Sequence, residues 1–320
     1  MSDQLISGKA SDHDADQAIG VSNISSIDGS SLAKKAKHDP IMFLRSFDSA
    51  LKSRGEDDKA FENEELNELD ESIGCSIITH HEFWDSIGYS LLKNAVESGL
   101  IAVVQVILKH ADKNATKTLE ANYPPLLLAC KAGHIEIVSL MLVHGFNPDL
   151  AGVGYRGHNE TCLTYACLRS NLALVELLLI NGAKPDLYFR NEDPPIVQAC
   201  GHGAVDIVIL LLDYGADINI ISRYGDTPLT RACAYGHLDL ARLLLDRGAD
   251  VNGVDRDGIT PLMTAIRDQP HNIGLIQLLL ERGADPAITD ISGRVPLDYV
   301  TEGSEVAQMI INAQLEHVLK

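Results

Sequence analysis

The chain has 320 residues, with 26 Lys and Arg against 45 Asp and Glu and a formal net charge of −19. An acid surplus of that size argues against a generic binder of nucleic acid or of an anionic membrane, because phosphate contacts need clustered Lys and Arg. Apolar residues make up 45% and aromatic ones only 5%, so the core must be aliphatic. No stretch approaches the roughly 18 consecutive apolar residues of a membrane span; the longest strongly aliphatic run is Ile207 to Leu212. The first residues lack the basic and apolar regions of a secretory leader. Six cysteines are too few for a disulfide scaffold and are expected to be reduced, which points to the cytoplasm or the nucleus.

The acid excess is concentrated at the start. Residues 1–85 hold 18 acidic and 8 basic side chains, and residues 86–320 hold 27 and 18. Residues 1–38 are rich in Ser, Asp, Gly and Ala without a helical or strand period, and such a segment buries too little apolar surface to offset its ordering entropy. Asp39-Pro40 then reads as a helix start. Phe43, Leu44, Phe47 and Leu51 form an apolar stripe on a short amphipathic helix near 40–54, which either rests on the folded part or docks into a partner. Glu56 to Glu71 holds nine acids and a single base, Lys59, the signature of a solvated interaction tail. Residues 1–85 are therefore expected to be a mostly disordered acidic arm. Lys34, Lys35 and Lys37 make a weak basic cluster of the kind used in nuclear import.

From about residue 86 the sequence repeats. Gly145, Gly182, Gly215, Gly248 and Gly283 each close an aliphatic run and are spaced by 37, 33, 33 and 35 residues. A second register, Pro125, Cys162, Pro195, Pro228, Pro261 and Pro296, steps by 37, 33, 33, 33 and 35. Two independent registers agree on one period and on the same two insertions, between Ala151 and Glu160 and around Asp268 to Asn272. Within one period, Thr227-Pro228 caps and starts a helix, Gly236 allows a turn, and Leu238 to Leu245 form a second helix ended by Gly248. One such pair cannot bury its own apolar faces, so the units must stack.

The pattern resembles the ankyrin repeat, a 33-residue unit with Thr-Pro-Leu opening its first helix and Gly-Ala-Asp closing its second. Thr227-Pro228-Leu229, Thr260-Pro261-Leu262, Gly215-Ala216-Asp217, Gly248-Ala249-Asp250 and Gly283-Ala284-Asp285 carry the likeness. It implies an all-α solenoid over 86–320, with helix-turn-helix units joined by β-hairpin loops. Seven helix pairs are expected near 90–110, 124–144, 161–181, 194–214, 227–247, 260–282 and 295–318. The histidine that the family usually has after Pro-Leu is replaced by Leu127, Thr164, Val197, Thr230, Met263 and Asp298, so an inter-unit hydrogen-bond ladder should be patchy and rely on threonine. The longer connection before Glu160 should extend one hairpin, and the later insertion should disrupt a helix–helix turn. Trp84 is expected to cap the exposed end of the stack.

Cys130, Cys167, Cys200 and Cys233 each follow an Ala at the same point of the repeat. Stacked helices lie about 8–10 Å apart, beyond the ~7 Å reach of a disulfide, and no CxxC pair offers zinc a site. They read as small core residues. His80-His81-Glu82 makes no metal site, no phosphate loop or nucleophile elbow is present, and neither a cofactor nor catalysis is expected.

Alignment of the repeats places Tyr155, Arg156, Tyr188, Arg190, Asn191, Arg223, Tyr224, Arg256 and Asp257 at the hairpin tips. Lys131, Arg169, His202, Tyr235 and Arg267 fall on the first helices. In ankyrin arrays these positions line a concave partner-binding surface. Arg and Tyr are the residue types that anchor interfaces, and Arg grips carboxylates and phosphates with two parallel donors. The expectation is a non-catalytic adaptor, scaffold or regulatory subunit that binds an acidic or phosphorylated protein segment. One such segment, 56–71, lies in the chain itself and could dock intramolecularly. The alternative is an oligonucleotide or phosphorylated small ligand on the same face, read by stacking and phosphate contacts.

Overall fold

In a computed structural model, the described residues are Leu66, Asn67, Leu69, Asp70, Ile73, 88–111, 124–153, 159–189 and 192–318. The amphipathic helix near 40–54, the lysine cluster, His80-His81-Glu82 and Trp84 lie outside them.

Each unit is a short inner helix, a turn, and a longer, more apolar outer helix that runs back beside it. The units are α1 (Tyr89–Glu97) with α2 (Ile101–His110), α3 (Pro125–Ala132) with α4 (Ile135–Val143), α5 (Cys162–Leu168) with α6 (Leu172–Ile180), α7 (Pro195–Gly201) with α8 (Val205–Asp213), α9 (Pro228–Ala234) with α10 (Leu238–Asp246), and α11 (Pro261–Asp268) with α12 (Ile273–Glu281). A 3-10 helix, Pro296–Tyr299, and α13 (Glu305–Val318) complete the seventh. The chain is an all-α ankyrin-type solenoid. Proline opens α3, α7, α9 and α11, where the missing amide hydrogen costs nothing. Threonine caps α5 and α9 reciprocally: the Thr161 and Thr164 hydroxyls each accept the other's amide, at 3.0 and 2.9 Å, and Thr227 with Thr230 repeats the arrangement. The outer helices α4, α6, α8, α10 and α12 end on glycine with positive φ, as at Gly248 (φ 93°), where the next amide, Ala249, returns to the Leu244 carbonyl at 2.9 Å.

Inner helices pack on inner helices from α1 through α11 to the 3-10 turn. They approach closely because the facing pair is small: Ala129-Cys130, Ala166-Cys167, Ala199-Cys200 and Ala232-Cys233 are all buried. The five described cysteines are free and buried, and burial pushes the Cys167, Cys200 and Cys233 thiols far above their ordinary range, so they are inert packing atoms. One contact crosses the simple register: Cys162, at the position that other units give to proline, meets Cys130 of the preceding unit. Outer-helix leucines, isoleucines and valines supply the rest of a continuous aliphatic core.

The ladder between units differs from the expected one. Threonine works at the caps within a unit, and Thr164 also bonds Glu192 of the next unit. The inter-unit rungs come from the residue four after each closing glycine, whose side chain accepts the backbone amide of the next unit: Asp149 from Lys184 at 2.9 Å, Asp186 from Asp217 at 3.1 Å, Asn219 from Asp250 at 2.9 Å and Asn252 from Asp285 at 2.8 Å. Ala287 holds the equivalent place in the next unit and offers no acceptor.

The long connection forms the only strand pair among the described residues, β1 (Gly152–Val153) with β2 (Asn159–Glu160), antiparallel with Gly152 opposite Glu160. The insertion at 268–272 rebuilds its turn rather than breaking it. The Gln269 amide donates to the Ala234 carbonyl at 2.9 Å and Asn272 to the Gly236 carbonyl at 3.0 Å, which ties this turn to the one before. His237 does the same work one unit earlier, its ring nitrogen 3.4 Å from the Gly201 carbonyl.

Part of the acidic block is structured. Leu66, Asn67, Leu69, Asp70 and Ile73 are helical, Leu69 and Ile73 are fully buried in the core cluster, and Leu66 packs against it. Asp70 reaches the end of α2, 2.7 Å from Lys109 Nζ and 2.7 Å from His110 Nε2, and the Lys109 ammonium holds its carboxyl below the usual range. This part of the block therefore docks on the end of the stack, not on the Arg/Tyr tips. Leu66, Leu69 and Ile73 recur at i, i+3 and i+7, and the apolar stripe outweighs the surrounding charge.

Candidate protein-binding surface

The hairpin tips of three consecutive units are built alike. In each, one short side chain folds the tip by accepting two amides: Ser222 from Tyr224 and Asp226 at 3.2 and 3.1 Å, Asp255 from Asp257 and Ile259 at 2.8 and 2.8 Å, and Asp290 from Ser292 and Arg294 at 2.8 and 2.9 Å. The first two tips stack tightly. Gly225 sits at φ 96°, and a Cβ there would strike the Arg256 backbone nitrogen.

This stacking brings Arg223, Tyr224 and Arg256 together at adjacent tips. The Arg223 guanidinium lies 4.2 Å from the centre of the Tyr224 ring, within cation–π range, and also bonds its hydroxyl. Tyr224 remains 57% exposed. On the inner helices, Tyr235 follows the end of α9, is 56% exposed and stacks on His237 at 6.2 Å. His202 occupies the same place after α7 and is exposed. Arg169 is exposed at the end of α5, 5.6 Å from the Tyr165 ring. Arg256 is exposed and makes no ion pair among the described residues.

Other expected site residues are already committed within the chain. Tyr188 is half-buried and donates its hydroxyl to the Ile221 carbonyl at 3.2 Å, so it braces the next tip. Arg267 is tied to Asp268 through Nε at 2.8 Å and Nη2 at 3.0 Å. Lys131 pairs with Glu160 at 3.3 Å. Tyr155, Arg156, Arg190 and Asn191 lie outside the described residues.

The sequence reading missed a row of acids on this edge. The residue just before each inner-helix cap is Glu160, Asp193 and Asp226 in three successive units, 33 residues apart. Arg231, on α9, clamps two of them: its Nη2 lies 3.0 Å from Asp193 Oδ2 and 2.7 Å from Asp226 Oδ2. Beside them Glu192 is half-buried, and its carboxyl is pushed up to about 7, chiefly by burial and next by the Glu160 charge, against opposing help from Thr164 and Lys131. Burial also raises Asp226, against the pull of Arg231. The 33-residue register that places Thr227 also places this row.

The outer surface offers a different feature, a shallow groove of about 500 Å³ between α4 and α6, lined by Ile135, Ala173, Leu177 and Ile180. Among the described residues no helix is long and apolar enough to cross a membrane, and no three His, Cys, Asp or Glu side chains converge as a metal site.

The sequence matches two family models, one described as ankyrin repeats (3 copies) over 92–188 and 169–255, the other as ankyrin repeats (many copies) over 245–300. Together these span more than half of the chain, which therefore belongs to the ankyrin-repeat family. Among curated proteins no significant match is found. Of solved structures, the human ASB11 ankyrin repeat domain is 27% identical, with a TM-score of 0.55, over 69% of this chain and 96% of that one. The ankyrin repeat domain of Bcl-3, described as a member of the IkappaB protein family, is 23% identical with a TM-score of 0.57 over 69% and 97%, and is a likeness of fold. Ankyrin arrays of this kind are in general protein–protein interaction modules.

Proposed function

We propose that this protein is a non-catalytic adaptor, scaffold or regulatory subunit that holds a partner segment on the concave side of its stack. The observation that carries the reading is the cluster at the tips of units five and six, where Arg223 lies over an exposed Tyr224 beside an exposed Arg256. Exposed Tyr235 extends it along the inner helices. Large aromatics and arginines already fixed in place lose little entropy on binding, which is what a hot spot needs. The favoured partner is an acidic or phosphorylated protein segment, since Arg223 and Arg256 present planar donors suited to carboxylate or phosphate. The buried free thiols accord with a reducing compartment, cytoplasm or nucleus.

The test is fluorescence anisotropy with labelled acidic, phosphorylated and scrambled neutral peptides on the full chain. Acidic or phosphorylated peptides should bind, and Arg223→Ala/Arg256→Ala should weaken them by about tenfold or more. Equal affinity of wild type and double variant would remove the tips from the binding site. Displacement of the peptides by short RNA would favour an oligonucleotide ligand instead.

A further inference from the structure

We propose that the outer groove between α4 and α6 holds the chain's own segment 40–54, for which the sequence predicts an amphipathic helix. The groove lies on the outer helices, away from the Arg/Tyr tips, so this docking is independent of the concave-face reading above. It clasps the N-terminal arm to units two and three.

The last residue of an outer helix is an acid in three units, Asp213 of α8, Asp246 of α10 and Glu281 of α12, but it is Val143 in α4 and Ile180 in α6. Two of the acids tie a unit to the one after it: Arg247 lies 3.1 Å from Asp213, and Arg282 lies 2.6 Å from Asp246. In the same register Asn181 and Tyr214 take the place of those arginines. Val143 is 77% exposed and Ile180 62%, and Tyr214 is exposed too. Single exposed aliphatics are ordinary on a protein surface. Here, however, ion pairs give way to apolar side chains in two adjacent units, and beside them lies the groove of about 500 Å³ that Ile135, Leu177 and Ile180 line. An apolar strip of this kind suits the apolar face of a docked helix.

Shape, charge and reach select 40–54 as the occupant. Phe43, Phe47 and Leu51 recur at i, i+4 and i+8, a narrow stripe that matches a narrow groove between two helices. The segment carries Arg45, Lys52 and Arg54 against Asp48, a basic stretch within an acidic arm. The ionisable residues that line the groove are Glu136 and Glu176, both exposed, so the charges are complementary. Reach follows from the contact at the start of the stack. In α2, Lys109 stands directly after the buried Ile107-Leu108, as Val143 stands after the buried Met141-Leu142, and Asp70 bonds this lysine at 2.7 Å. The arm therefore already touches the first member of the row whose next two members are Val143 and Ile180. Residues 55–65, between the segment and Leu66, can span up to about 36–40 Å, whereas stacked helices are about 10 Å apart. A tether this short gives an effective concentration on the order of millimolar, so modest intrinsic affinity is enough to keep the groove filled.

The test uses the full chain and a labelled peptide of residues 39–55, read by fluorescence anisotropy. In wild type the chain's own segment fills the groove. The peptide should therefore bind Phe43→Asp/Phe47→Asp, whose segment is released, about tenfold or more tightly than it binds wild type. Adding Ile180→Asp to that variant should abolish binding. This change gives α6 the acid that α8 carries at the same place, Asp213, so the unit should still fold. Adding Arg223→Ala/Arg256→Ala instead should leave the peptide bound. Equal binding to wild type and to the released variant, binding to neither, or binding that survives Ile180→Asp overturns the proposal. Loss of the peptide with the arginine variant would place the segment on the tips and overturn it as well. So would a wild type that sediments as a dimer and becomes monomeric with Ile180→Asp, since a second copy of the chain would then cover the groove.

Discussion

Glu192 concentrates the electrostatic tension of the inner edge in one side chain. Its folded carboxyl is raised to about 7, first by burial and then by the neighbouring Glu160 charge. A raised carboxyl opposes folding when it is ionised. The penalty is in force above about pH 7, fades as the pH falls through that value, and is gone once the unfolded chain is protonated too, below about 4.5. Glu192→Gln should therefore raise the Tm at pH 8, and the gain should vanish by about pH 4; thermal melts at a series of pH values check it. At the other end of the array the opposite case holds a tip together. Asp290 is 5% exposed, accepts the Tyr299 hydroxyl at 2.5 Å and Arg294 Nε at 2.8 Å, and its carboxyl is held well below the usual range, first by the tyrosine. The role of Glu192 was hidden in the sequence because Glu160 and Lys131 reach it only through the stacking of units, whereas the partners of Asp290 lie four and nine residues on, within its own unit.

At the scale of the element, the repeat grammar was readable almost to the residue. Proline at the first helical position and glycine after the last fix where helices start and stop by local sterics, so the five helix pairs from α3 to α12 fall where the two registers put them. Reading went astray where a side chain has two possible partners. Threonine at 164 and 230 caps its own helix reciprocally with Thr161 and Thr227, and only Thr164 is also seen to reach the next unit, at Glu192. The true rungs, Asp149, Asp186, Asn219 and Asn252, share a register as clear as that of the glycines, but acceptors of this kind also suit a simple turn. Asn252→Ala removes the acceptor of the Asp285 amide and the donor to the Gly283 carbonyl. It should cost about 1 kcal/mol, read as a lower denaturation midpoint with an unchanged m value.

For the whole molecule, stability is close to a sum of units and of interfaces between neighbours, so the ends decide how the array loosens. The first unit is covered by Leu66, Leu69 and Ile73, with Asp70 pinned to Lys109 and His110. The acidic count of residues 56–71 led the sequence reading to a solvated tail, whereas three well-spaced aliphatics were enough to seat a turn of helix on the core. Placing a charge in this contact, as in Leu69→Asp, should cost about 2–4 kcal/mol at that end. Amides of α1 and α2 should then exchange markedly faster, while those of α9 to α11 stay protected, in hydrogen exchange read by mass spectrometry. Uniform acceleration along the chain would mean that the array unfolds as a single block.

The ladder that stops at Ala287 makes the array mechanically directional. Four side-chain rungs tie units in series from Asp149 to Asp285, and the seventh unit, with its 3-10 turn, hangs on without a fifth. Under tension applied to the C-terminal end, α13 and its turn, tied back through Gln314 to the Pro286 carbonyl at 3.3 Å but without a rung of this kind, should give way first. Each complete unit that follows would release roughly 110 Å of contour length, so a load would be met as a staircase of small yields rather than as one rupture. The tips that carry Arg223, Tyr224 and Arg256 would stay assembled through the first step and lose their neighbours at the next, so the array would yield gradually from that end.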